Sequence, residues 1–156
     1  MKKSIKNVTM EEISPLIQEV LSKGEDITIT ASGNSMMPLW VHGKTRVVLT
    51  KCEPEGLKKG DVPLYIREDG KYLLHRIIRV NADSYDLAGD AQVRIEKGLP
   101  KASVIAVTKG YYSRKGKYIP LDKFTHRVFS SLWILVRPMR RYILAVYRRT
   151  IFRIIY

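Results

Sequence analysis

Residues 26–38 read Asp-Ile-Thr-Ile-Thr-Ala-Ser-Gly-Asn-Ser-Met-Met-Pro. Ile27, Ile29 and Ala31 alternate with Thr28 and Thr30, the period of two that marks a half-buried strand. β-branched residues on that period suit a pleated surface better than a helix. Gly33 and Asn34 break the strand, and Ser35 stands in the break. Short strands that end in turns of this kind recur through the middle of the chain.

Downstream, Val47-Val48-Leu49 is a second apolar strand. Lys59-Gly60-Asp61 reads as a turn, and residues 62–67 as a third strand, with Pro63 marking an edge or a bulge. Glu68-Asp69-Gly70 is a hairpin signal. Residues 72–80 then read as one strand, 81–84 as a turn and 85–87 as a short strand leading into Gly89-Asp90. Residues 104–112 form the last long strand. The centre of the chain, about 26–122, is thus a mainly β, antiparallel, partly coiled domain.

Upstream, residues 9–23 carry Ile13, Leu16, Ile17, Val20 and Leu21 on one helical face. Two starts compete: a Thr9/Glu12 capping box with Val8 and Ile13 as a staple, or Ser14-Pro15 as cap and first residue. Gly24 is the expected left-handed stop. This helix, within a segment 1–25, is read as a packing element. The opening Met-Lys-Lys is not followed by an apolar run, because Glu11, Glu12 and Glu19 interrupt it, so neither a secretory signal nor an N-terminal anchor is expected.

At 156 residues the chain supports one hydrophobic core. Its single cysteine, Cys52, excludes an internal disulfide and is read as incidental. No cluster of metal ligands is visible, and no cofactor is expected. The net charge is +13, and +8 of it falls in residues 123–156, which contain no Asp or Glu. That segment returns to helical character, with Pro138 starting a new helix or kinking a longer one. Arg137, Arg140, Arg141 and Arg148 fall on one face, opposite Met139, Tyr142, Ile143, Val146 and Tyr147. Its longest uncharged run, 128–136, is too short to span a bilayer. With Phe124, Phe129 and Trp133 in the same tail, the segment suits a membrane interface better than nucleic acid, with the arginines on anionic head groups. The predicted location is cytoplasmic, peripheral on the inner face of the membrane. The sequence does not state an oligomeric form.

Three short segments carry chemistry. In 33–38, Gly-Asn-Ser-Met-Met-Pro, a serine at a strand break offers an exposed hydroxyl near free backbone N–H groups, which a nucleophile and an oxyanion hole both need. In 74–78, Leu-His-Arg-Ile-Ile, a neutral His75 can take a hydroxyl proton near neutral pH. In 88–90, Ala-Gly-Asp, a carboxylate can orient the imidazole or hold the neighbouring loop. His42 and His126 compete with His75 for the role of base.

The order Ser-Met-x-Pro, Gly60-Asp61 before a strand, a strand carrying the base, then Gly-Asp resembles the signal peptidase I clan, which also holds the self-cleaving SOS-type repressors. The resemblance spans about residues 26–92, with a looser echo to about 112. His75 followed by Arg76 and two Ile is similar to the archaeal and endoplasmic-reticulum type, whose base is histidine. The resemblance implies that Ser35 is the acyl-forming nucleophile, His75 its base and Asp90 a supporting acid. It places Asn34, Met36 and Pro38 on the substrate and oxyanion side, with the Ser35 N–H as one donor. Gly33 stands where many signal peptidases carry a hydroxyl residue, so either Asn34 or Ser32 substitutes or the oxyanion hole is weaker. Ala91-Gln92 stands where many relatives have Asn and a further acid. The implied function is a serine endopeptidase that removes a leader or signal segment from a peptide or preprotein. Two other readings compete: a self-cleaving repressor, for which residues 1–25 offer one helix, too few for a helix-turn-helix, and a non-catalytic peptide-binding module.

Overall fold

A computed structural model describes residues 10–113 and 115–150, with only the backbone described for Glu11, Tyr147 and Arg148. The Thr9 cap and Val8 staple therefore lie outside the described residues, as do the side chains of Tyr147 and Arg148. The chain is mainly antiparallel β, with an N-terminal helix and C-terminal helices. Helix α1 spans Met10–Ser22 and already runs at Met10, so Ser14-Pro15 lies inside it and does not start it. It ends as expected: Gly24 has φ +78, Gly24 N–H donates to Leu21 O and Glu25 N–H to Val20 O. These two bonds form a Schellman cap, which a glycine permits at little steric cost. Ile17 and Leu21 enter the core, whereas Leu16 is turned to solvent.

Among the described residues nine strands succeed it: β1 Ile27–Thr30, β2 Arg46–Thr50, β3 Pro63–Ile66, β4 Tyr72–Leu74, β5 Arg76–Val80, β6 Ser84–Ala88, β7 Glu96–Pro100, β8 Val104–Tyr112 and β9 Tyr118–Pro120. The larger sheet runs β1-β2-β8-β3-β4, with β9 added to β8, and the smaller runs β5-β6-β7. Strand β3 lies between β8 and β4, so Pro63 is the first residue of an internal strand and not an edge. Its missing N–H falls where the ladder begins, and a register shift occurs just after it, at Leu64/Tyr65. The 72–80 segment is two strands, not one. It breaks at His75, where the chain leaves one sheet for the other. Strand β7 has a charged, glycine-containing sequence without apolar alternation, which hides it from a pattern reading.

Two apolar clusters hold the sheets. One joins α1 to the larger sheet through Ile17, Leu21, Trp40, Val47, Leu49 and Leu64. The other, with Tyr65, Ile77, Tyr85 and Leu87, ties the smaller sheet to β3. The tail forms helix α2, Phe124–Leu135, a 3-10 turn at Arg137–Met139, and helix α3, Arg140–Thr150. The break contains Pro138, as expected of a residue that removes a helical hydrogen bond. No helix among the described residues is long and apolar enough to cross a membrane.

Candidate active site

Ser35 lies after β1 in a tight series of turns that ends in a buried Trp40. Met36 and Met37 are also buried, and Met36 belongs to the main core, so the serine loop is anchored by its own apolar residues. Gly33 takes φ +82, and its N–H donates to His42 Nδ1 at 2.8 Å. His42 therefore braces the serine loop, and the Gly33 N–H is already committed.

Ser35 and His75 line one cleft of about 470 Å³ together with Asn34, Met36 and Gln92. Pro38 does not line it. Residues of β1 and β4, which end the main strand order of the larger sheet, line the same cleft. Curling of the sheet thus brings together segments about 40 residues apart.

The Gly89 loop sets the distance between these parts. A Cβ on Gly89 would stand 2.6 Å from Ser35 O and 3.0 Å from Ser35 Cβ. Only a glycine allows that approach. The Ala91 N–H donates to Ser35 O at 2.7 Å. Arg76 pairs with Ala88 across β5 and β6. His75 and Gly89 each adjoin one member of that pair in sequence.

The His75 side chain is buried, and its Nδ1 lies 2.8 Å from Tyr65 Oη. The Tyr65 hydroxyl donates to Glu96 Oε2 at 2.7 Å. A phenol has one proton, so with that proton on Glu96 its oxygen accepts from Nδ1–H. This network assigns the imidazole the tautomer with an unprotonated Nε2. Nε2 is buried and has no hydrogen-bond partner among the described residues, Ser35 Oγ included. Glu96 is held in turn by Arg67, at 2.8 Å from Nε and 2.9 Å from Nη2. The Arg67 guanidinium keeps the Glu96 carboxyl below the usual carboxylate range. Burial pushes the Tyr65 hydroxyl far up, so it stays protonated. Burial also lowers the pKa of His75, against the opposing pull of Glu96. The imidazole is therefore neutral at neutral pH, the form a general base requires.

Asp90 is not the group that orients His75. Both of its oxygens are taken by Arg76, Oδ1 at 2.8 Å from Nε and Oδ2 at 2.7 Å from Nη2. Arg76 also donates to Gly60 O and Ser130 Oγ. Asp90 thus holds the loop that packs on Ser35, and Tyr65 takes the place next to Nδ1. Tyr65 and Glu96 are 31 residues apart, and Glu96 lies on β7, which carries no alternation to announce it. A sequence signal for this pair is absent.

The tail helices close on the same loop. Trp133 Nε1 donates to Asp90 O at 3.3 Å. Arg140 is fully buried, donates to Gly89 O, Gln92 O and Trp133 O, and stacks over the Trp133 ring at 5.0 Å. Arg137 donates to Val93 O. Arg140 therefore faces the protein, not a head group, and Arg137 bonds inward. Phe129 and Trp133, stacked on each other, are half-buried. These arginines cap loop carbonyls that no strand can satisfy.

The other candidate groups lie apart from the cleft lining. His126 is buried on the inner face of α2, edge-on to Tyr111, with burial pushing its pKa down to about 4. Cys52 is half-buried, and burial together with Glu53 raises its thiol to about 11, so it carries little thiolate. Among the described residues, no group of three or more His, Cys, Asp or Glu could hold a metal ion. Comparison of the chain with protein-family models, curated proteins and solved structures gives no match.

Proposed function

We propose that this protein is a serine endopeptidase of the signal peptidase I type, acting on peptide segments through Ser35 and His75. One observation carries the reading. A neutral histidine, fixed at Nδ1 and free at Nε2, lines the same cleft as a serine at a strand break. An extended peptide fits between the free edges of β1 and β4, adding backbone hydrogen bonds to an open sheet.

In the proposed reaction Ser35 Oγ attacks the scissile carbonyl carbon while its proton passes to His75 Nε2. The carbonyl becomes an oxyanion, stabilised by backbone N–H groups of the 34–36 turn. The C–N bond then breaks as Nε2–H protonates the leaving amine, leaving an ester on Ser35. Water attacks the ester carbon, its proton goes to Nε2, and Ser35 Oγ leaves with that proton restored. Each imidazolium formed faces Glu96 Oε2, 3.8 Å from Nδ1. Tyr65 and Glu96 occupy the position that a carboxylate alone fills in a serine–histidine–aspartate triad.

The test is incubation with a peptide library and mass-spectrometric mapping of products, beside a fluorophosphonate probe for a reactive serine. Cleavage at a defined motif and a covalent adduct on Ser35 are expected. No product and no adduct would favour a peptide-binding module that uses the same cleft without chemistry.

Tyr65→Phe is expected to lower kcat about 10- to 100-fold, a loss of the size that follows when a metal-bound histidine is deprived of its orienting partner. KM should change little, because Tyr65 is buried behind His75. Steady-state kinetics on a cleaved library peptide measures this, and an unchanged kcat removes Tyr65 from the mechanism.

A further inference from the structure

A helix packed on a soluble protein ordinarily turns its apolar stripe to the core. Helices α2 and α3 do the reverse. Their inward contacts include His126, Ser130, Trp133, Arg137 and Arg140, with Leu144 the only large aliphatic side chain of the pair that is buried among the described residues. Their outward face carries Phe124, Val128, Leu132 and Leu135, which are 81%, 40%, 56% and 74% exposed. Spaced by four, four and three residues, these side chains form one stripe along α2. Met139 and Val146, at 63% and 62%, continue exposed apolar surface onto α3. Single exposed apolar residues are ordinary, but a contiguous row marks a surface that meets something other than water.

Charge identifies what it meets. Lys123, Arg127, Arg141 and Arg149 are exposed on the same helices, and residues 123–156 hold no Asp or Glu. A second copy of the chain would bring this cationic rim against itself. Anionic head groups complement it, while the acyl boundary beneath them takes up the apolar row. We propose that the outer face of α2 and α3 docks the protein on an anionic lipid bilayer, lying in the interface. This proposal does not rest on the peptidase reading. It assigns the contact to Lys123, Arg127, Arg141 and Arg149, not to the inward Arg137 and Arg140.

The test is co-sedimentation of the full chain with phosphatidylcholine vesicles, with and without phosphatidylserine, at low and high salt. Binding to the anionic vesicles at low salt is expected, with much weaker binding to phosphatidylcholine alone. Each basic residue near an anionic surface contributes roughly fivefold in partitioning, equivalent to about 1 kcal/mol. Arg127→Gln with Arg141→Gln should therefore weaken binding on the order of 20-fold and flatten its salt dependence. Leu132→Glu with Leu135→Glu should weaken it by at least about tenfold, through loss of the apolar contact. All four positions are exposed, so circular dichroism and thermal midpoints should match the parent protein. The proposal is overturned if the parent chain ignores anionic vesicles, or if the variants bind as it does. It is equally overturned if sedimentation shows a dimer that Leu132→Glu with Leu135→Glu dissolves while vesicle binding is unchanged.

Discussion

Ser35→Ala and His75→Ala are each expected to lower peptide cleavage on the order of 10⁴-fold or more, since removing one member of a unit that acts together forfeits nearly the whole effect. Ser35 is half-buried at a loop, so its loss of one oxygen should leave the fold intact. The pH profile separates the two roles. Burial lowers the His75 pKa, so the active neutral form persists to a pH below the ordinary value of roughly 6.5. Activity should be flat near pH 7 and fall only as acid protonates Nε2. His75→Lys should retain partial activity with its acid limb moved to higher pH, because an ammonium becomes a base only on losing its proton. Kinetics across pH on one peptide tests both statements. Normal cleavage by Ser35→Ala removes the nucleophile assignment.

Asp90→Ala is expected to destabilise the protein by about 3–5 kcal/mol, the usual cost of leaving one partner of a buried ion pair alone. Arg76 and Asp90 are each about 1% exposed, and Arg76 would keep only the Gly60 and Ser130 oxygens. Denaturant unfolding, read as the change in midpoint at constant slope, measures the loss. Ser130→Ala removes a single contact at the same charged guanidinium and should cost about 1.5–3 kcal/mol, less than the loss of Asp90. A direct catalytic role for Asp90 predicts the opposite pattern, with stability unchanged and kcat reduced. The pair also links stability to chemistry, because Asp90 lies between Gly89, packed on Ser35, and Ala91, bonded to the Ser35 carbonyl.

Much of the framework is legible in the chain. Period-two alternation in 27–31, the glycine turns near 33, 60 and 70, and the apolar run of 104–112 all become strands or breaks between them. Gly24 stops α1 because local backbone sterics alone decide a helix end. Two features escape a pattern reading. Residues 72–80 look like one strand, yet the chain changes sheets at His75. Strand β7 looks like a loop, because Glu96, Lys97 and Gly98 serve an ion pair and a turn before they serve the ladder.

Local sequence was enough to set most of the elements, the positive tail and the presence of a serine and a histidine in suggestive turns and strands, since each depends on neighbours within a few residues. Long-range packing alone placed Tyr65 and Glu96, not Asp90, behind Nδ1 of His75. It also selected which arginines of the tail face inward: helical periodicity puts Arg140 and Arg141 on one face, but Arg140 reaches the carbonyls of Gly89 and Gln92 while Arg141 is left outside. A carboxylate or guanidinium can serve several partners equally well along a chain, and burial selects the one whose loss would leave a charge or carbonyl unsatisfied.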